Sequence, residues 1–238
     1  FINGLESDET AHTNRTGPSG SHIIVGGKLD YEFVGFIQDL RIFKDFVFYR
    51  NNFNIPSELM YSCMEPFDLP ICMDEVVFHV QPKQGDIYVY DRSSSYNDII
   101  LRGGALVDYK VLNNNEASIK MGQSSSSKME FKAGYQRVTG DYKNAFKISF
   151  TIESNILWKP QQDHQKSILL HSISSSTANN AIMSSGDIVV GIESLGRHNF
   201  IFVSRRNQET ERNTTHLVEL TKSIYSNWFH LAVVVDNE

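Results

Sequence analysis

Apolar residues recur at every second position in several short runs of this chain. The clearest runs from Phe146 to Ile152, where Phe146, Ile148, Phe150 and Ile152 fall on one side and Lys147, Ser149 and Thr151 on the other. A period of two belongs to a strand with one covered face. Residues 33–43 repeat the pattern, with Phe36, Leu40 and Ile42 on one face and Gly35, Ile37, Asp39 and Arg41 on the other. Residues 228–236 differ. Phe229, Leu231, Val233 and Val235 fill one face while Trp228, Ala232 and Val234 keep the other largely apolar, which predicts a central strand covered on both sides.

Further strands are expected at 1–5, 22–25, 86–91, 97–101, 167–173, 187–192, 199–203 and 216–220. Polar runs at 113–115, 124–127, 174–180 and 207–214 separate them. No long segment has a period of 3.6. A short helix alone is expected, at residues 54–61, where Asn54 caps, Pro56 sits in the first turn and Glu58 faces the positive end. Many short strands between polar loops predict an all-β fold, an antiparallel β-sandwich.

The two ends complement each other. Residues 1–5 read as a strand running into the turn pair Asn3-Gly4, and residues 228–236 read as a strand heading into a turn. Set end to end they make one hairpin. The expectation is an excerpt of a longer repeating protein, broken inside each of two similar domains. A strand like residues 1–5 must then pair beside residues 228–235, supplied by the chain's own continuation or by a neighbour.

Charge narrows the partners. The formal net charge of −6 and the scattered Lys and Arg residues argue against nucleic acid, which selects a basic patch. The densest basic group, from Arg205 to Arg212, is interrupted by Glu209 and Glu211 and reads as a solvated loop. No run approaches the roughly 18 apolar residues of a membrane-spanning helix. The two cysteines, Cys63 and Cys72, flank Pro66 and Pro70 and are spaced for a local disulfide in an oxidising compartment. No His lies between them to suggest zinc. The sequons at Asn14 and Asn213 lie in polar stretches that read as loops, the setting of an N-glycan acceptor. Together these features point to an extracellular or cell-surface protein.

The order of motifs resembles the laminin-G-like, concanavalin-A-type jelly-roll family. Residues 91–104, with Ser93-Ser94-Ser95, Asn97-Asp98 and Gly103-Gly104, resemble the family's opening, and Lys147 to Ile152 resembles its next core strand. Trp228-Phe229-His230 and the apolar run after it are similar to the family's Trp-x-His strand, and Phe1-Ile2-Asn3-Gly4 fits the strand that follows. Ile24 to Gly27 and Phe33 to Phe43 are similar to the closing strands. The motifs thus stand in the order end-piece, then beginning-piece. The resemblance implies that residues 1–62 are the C-terminal part of one laminin-G-like domain. Residues 63–85 are then a Cys- and Pro-containing connector, and residues 86–238 the N-terminal part of a second domain. Residues 124–140 and 158–166 depart from the family's spacing.

Catalysis is not expected. Glycosidases on such sheets carry alternating carboxylates on one strand. Here Glu65 and Asp68 lie among prolines and Asp74-Glu75 are adjacent, so a strand would point the last two to opposite faces. No cofactor is required. The resemblance leaves calcium open, with Asp91, Asp98 and Asp141 as candidate ligands in predicted turns, although Asp is common in turns for its own hydrogen bonds. His22, His171 and His230 read as structural, and Gly26-Gly27 and Gly103-Gly104 as bends rather than phosphate loops. Asp39 and Arg41, two apart on one face, read as a solvated pair on the sheet's outer surface. The expected function is that of a non-catalytic structural or adhesive module in a large repeat glycoprotein. Its partners are other extracellular proteins or glycans and neighbouring domains of the same longer chain. The rival reading is a carbohydrate-binding accessory of a secreted glycan-active enzyme.

Overall fold

The structure is a computed structural model, and it describes residues 1–6, 22–28, 31–44, 51–52, 76–83, 86, 88–93, 98–109, 117–122, 127–132, 150–159, 166–173, 188–206, 213–220 and 226–235. In chain order the strands are β1 (His22–Val25), β2 (Gly27–Lys28), β3 (Tyr31–Glu32), β4 (Gly35–Lys44) and β5 (Val76–Val80). Then follow β6 (Asp98–Arg102), β7 (Leu106–Asp108), β8 (Ser118–Met121), β9 (Lys128–Lys132) and β10 (Phe150–Trp158). The last five are β11 (Lys166–Ile173), β12 (Ile188–Leu195), β13 (His198–Arg206), β14 (Asn213–Leu220) and β15 (Trp228–Val235).

The fold is all-β with antiparallel pairing throughout. One sheet has the order β14-β13-β12-β11-β1-β9-β6; the other has the order β15-β10-β4-β8-β7, with β5 also paired to β4. Their facing sides share one hydrophobic core. The seven-stranded sheet supplies Val25, Met129, Leu170, Val190 and Ile201, among others, and the second sheet supplies Ile37, Leu40, Ile152, Ile156 and Leu231. Val25, Met129 and Leu170 are register partners across three strands, and all three are buried. Burying each such side chain contributes about 1.5–3 kcal/mol relative to leaving it in water. The arrangement is sandwich-like.

Strands from the first 44 residues lie inside sheets built otherwise by residues 76–235. β1 pairs with β9 on one side and β11 on the other, and β4 pairs with β10 on one side and with β8 and β5 on the other. The pairing of the two ends is made by residues 1–3 of this chain, which form isolated bridges at the Asn3-Gly4 turn rather than the expected strand. β15, expected as a central strand, therefore stands at the end of its sheet. Phe1 N donates to Ala232 O at 2.8 Å, Ala232 N to Phe1 O at 3.0 Å, and Asn3 N to His230 O at 2.8 Å.

Two bulges correct the simple alternation. In β4, Gln38 is level with Asn155 and Arg41 with Glu153, so Asp39 and Leu40 together oppose Ser154. Asp39 takes φ of +57° there, a conformation Asp tolerates better than most side chains. The extra residue shifts the parity of the strand. Ile37 therefore joins Leu40 and Ile42 in the core, while Phe36 turns to the other face and meets Trp228, ring centroids 6.5 Å apart. In β11 the register shifts between Ile168 and Leu170, which puts Leu169 and Leu170 both in the core and leaves Ile168 on the opposite face. There Ile168, Val189 and Phe202 form a second small cluster over Gly191.

Several elements differ from the sequence-based expectation. Val76–Val80 is a strand inside the stretch read as a connector. β7, β8 and β9 are short and partly polar, and the alternation rule did not single them out. Among the described residues of 86–91 there is no strand, only the single bridge of Asp91 to Val80. The expected helix at 54–61, and residues 146–149 of the clearest alternation, lie outside the described residues. Among the described residues no helix is long and apolar enough to cross a membrane.

Candidate functional site: a buried ionic row

The face of β4 turned away from the core is closed to solvent as well, and it is polar. The bulge at Asp39 brings Asp39 and Arg41 to this face together. Arg41 Nε donates to Asp39 Oδ1 at 2.8 Å and its Nη2 to Asp39 Oδ2, a two-pronged contact. Arg41 Nη1 donates to Glu153 Oε1 on β10 at 3.0 Å. His79 Nε2 on β5 lies 2.9 Å from Asp39 Oδ1, and His230 Nε2 on β15 lies 3.4 Å from Glu153 Oε2. The five side chains form a row, His79, Asp39, Arg41, Glu153, His230, that crosses four neighbouring strands.

Each member is nine-tenths or more buried. Asp39 is 4% exposed and Arg41 5%, which corrects the expectation of a solvated surface pair. The physical reason is that this face of the sheet is shut off from water along its length: Gln38, Phe43, Thr151, Asn155 and Leu157 are buried there too. Burial alone would raise the Asp39 carboxyl. The Arg41 guanidinium and the contact with His79 outweigh it and hold that carboxyl below its ordinary value. A carboxylate kept ionised, out of water and on an arginine is not a proton donor at neutral pH. What the row does is lock alignment. Sliding β4 by one residue would turn Arg41 to the apolar side and strand Glu153 without its partner.

The other expected site residues fall as follows. Asp91 is buried, and its Oδ1 accepts from His79 N at 3.0 Å and Ser93 N at 2.9 Å, so it ties a turn to β5. Asp98 opens β6, level with Lys132. Asp141, Asn14, Cys63 and Cys72 lie outside the described residues. Asn213 is the first residue of β14, level with Arg206, rather than part of a loop. His22 opens β1, and His171 is buried in β11, next to the small outer cluster in register with Val189. His230 is a buried strand histidine, as expected, with the added contact to Glu153. Among the described residues no three His, Cys, Asp or Glu side chains are grouped to hold a metal ion.

Sequence reasoning missed Glu153, His79 and the row they complete. The available signal was a set of lone charged or imidazole side chains of complementary sign, each with at least one apolar neighbour in a strand. It also missed two exposed aromatics. Val89 packs on the core, so Tyr88 and Tyr90 on either side of it point outward, 69% and 59% exposed. No family model, no curated protein and no solved structure matches this chain.

Proposed function

We propose that this chain is a non-catalytic module of a large extracellular or cell-surface repeat glycoprotein, with a structural or adhesive role. The observation that carries the reading is the interleaving of strands. The end-then-beginning order of laminin-G-like motifs in the sequence corresponds to strands of residues 1–44 lodged among those of 76–235. A jelly roll cut and rejoined in that order has this relation between its pieces. Residues 1–62 and 86–238 are the complementary parts of such domains, and residues 63–85 the segment between them. The charged residues of the buried row are spent on aligning strands, which suits a scaffold. Binding to proteins or glycans then comes from loop surfaces and from repetition along the longer chain.

The test is peptide mapping of protein secreted from a eukaryotic host. Glycans on Asn14 and Asn213 and a bridge between Cys63 and Cys72 are the expected result. Bare asparagines with both thiols free overturn the extracellular assignment.

A carbohydrate-binding accessory module is the second reading, and Tyr88 with Tyr90 favours it. Two outward rings two residues apart offer faces on which sugar rings stack. Binding to a glycan array, measured with and without chelator, decides between the readings. Loss of a bound glycan on Tyr88→Ala with Tyr90→Ala, at unchanged melting temperature, supports the accessory module. Chelator-sensitive binding would bring in calcium, for which Asp91 and Asp98 are the described candidates and Asp141 the third.

A further inference from the structure

Residues 22–44 supply an interior strand to each sheet, and every strand that β1 and β4 pair with comes from residues 76–235. We infer that this segment, together with residues 1–6 that pair with β15, can be exchanged between two copies of the chain, so that the partner it fits is a second copy of this protein. In that dimer each segment fills the slots of the other body.

Three observations bear on the exchange. First, the slots are open only to a strand pair of this kind. Without β1, the edges of β9 and β11 face each other unpaired; without β4, so do β10 on one side and β8 and β5 on the other. Unpaired strand edges recruit another strand through main-chain hydrogen bonds. Second, β4 and β5 are sheet neighbours, with Phe43 level with Val76, yet residues 45–75 join them. A hairpin needs only two to five residues at such a place. A connection this long lets the chain close on itself without strain, so the closed monomer holds at low protein concentration and exchange is populated only at high concentration. Third, the row is divided between segment and body: Asp39 and Arg41 come with the segment, while Glu153, His79 and His230 stay with the body. An inserted β4 is accepted in the register that brings Arg41 to Glu153. The exchanged dimer makes the same hydrogen bonds and buries the same core as the closed chain. Their balance is therefore set by protein concentration against the effective concentration of the tethered segment.

This inference does not depend on the extracellular or adhesive reading, and its test is separate. Chains of natural and heavy isotopic composition are unfolded together and refolded at high concentration, then weighed as intact assemblies by native mass spectrometry. Dimers of mixed mass are expected after joint refolding, about twice as abundant as each pure dimer, and absent after folded chains are simply mixed. Monomers only, at every concentration, overturn the inference. So do mixed dimers that form on simple mixing, because those come from a surface contact. A second arm uses Arg41→Glu and Glu153→Arg in separate chains. Each alone places like charges in its own slot. Refolded together, Arg41 of the E153R chain meets Glu153 of the R41E chain, and the two reversed positions meet in the other body. A heterodimer that melts above either variant alone is expected. If both variants are folded monomers and stay so when refolded together, the inference fails; if neither folds in any mixture, the isotopic arm decides.

Discussion

Arg41 on β4 and Glu153 on β10 meet 3.0 Å apart with both side chains almost wholly out of water. Two carboxylates share this one guanidinium, since Asp39 holds its other edge. Arg41→Ala leaves both buried with only their histidine contacts, and is expected to cost about 3–5 kcal/mol in urea unfolding. Replacing the charges together, as Asp39→Asn, Arg41→Met and Glu153→Gln, is expected to recover most of that loss. A loss for Arg41→Ala of no more than about 1 kcal/mol would mean that water reaches the row.

Acid should unfold the protein in a way that can be traced to named carboxyls. Asp39 and Glu130 both have folded values below their ordinary ones. In each, burial pulls upward, and is outweighed for Asp39 by Arg41 and His79 and for Glu130 by Lys128 and Arg102. A lowered folded value means stability that is fully present above the unfolded carboxyl range, near pH ~4, and lost as pH falls through the folded value. Melting temperature is therefore expected to be level from neutral pH down to about 5 and to fall steeply below about 4. Asp39→Asn should lower the plateau and flatten the acid limb. Added salt should erode the part due to Glu130, whose partner Arg102 is half exposed, and leave the part due to Asp39.

Two glycines, one within β12 and one in the turn that follows it, separate steric crowding from backbone strain. A Cβ at Gly191 would stand 2.4 Å from Ser167 O and 2.5 Å from the Phe202 ring. Gly191→Ala is expected to cost about 1–3 kcal/mol, as overpacking does, and pairing it with Phe202→Leu should recover only the part due to the ring. Gly196 opens the two-residue turn between Leu195 and His198 at φ of +65°, with nothing near its missing side chain. Gly196→Ala should cost about 1 kcal/mol from the left-handed backbone alone, and Gly196→Asn less. Differential scanning calorimetry on the four variants checks the order.

Asp91 can be tested as a turn tie against a calcium ligand. Its Oδ1 accepts two backbone N–H bonds, to His79 and Ser93. Asp91→Asn keeps that acceptor and should melt close to the parent, whereas Asp91→Ala should lose about 1–2 kcal/mol. A calcium-dependent rise in melting temperature that Asp91→Asn abolishes would assign it to a metal instead.

Many strand positions were legible where apolar residues alternate with polar ones or run together between polar stretches. β1 and β15 have the bounds the pattern predicts, and β11 to β14 lie within a few residues of them. The faces were not legible where a bulge intervenes. Nothing in the run from Phe36 to Ile42 announces that Asp39 adopts a positive φ, and without that the parity of Phe36 and Ile37 comes out reversed. The buried row was hidden for another reason. Charge in a strand reads as solvated unless the partner on another strand is known, and Arg41 and Glu153 are 112 residues apart. Short strands such as β7 carry too few residues to show a period at all.

The hydrogen bonds that join Phe1 to Ala232 and Asn3 to His230 have a mechanical meaning. Tension drawn along the chain enters at Phe1 and leaves just past Val235, at the same end of this antiparallel pair. The load therefore falls on one bond at a time and opens the pair like a zipper, instead of shearing all its bonds at once. Under a pull, residues 1–3 come away first, while the interior strands of both sheets still carry no load.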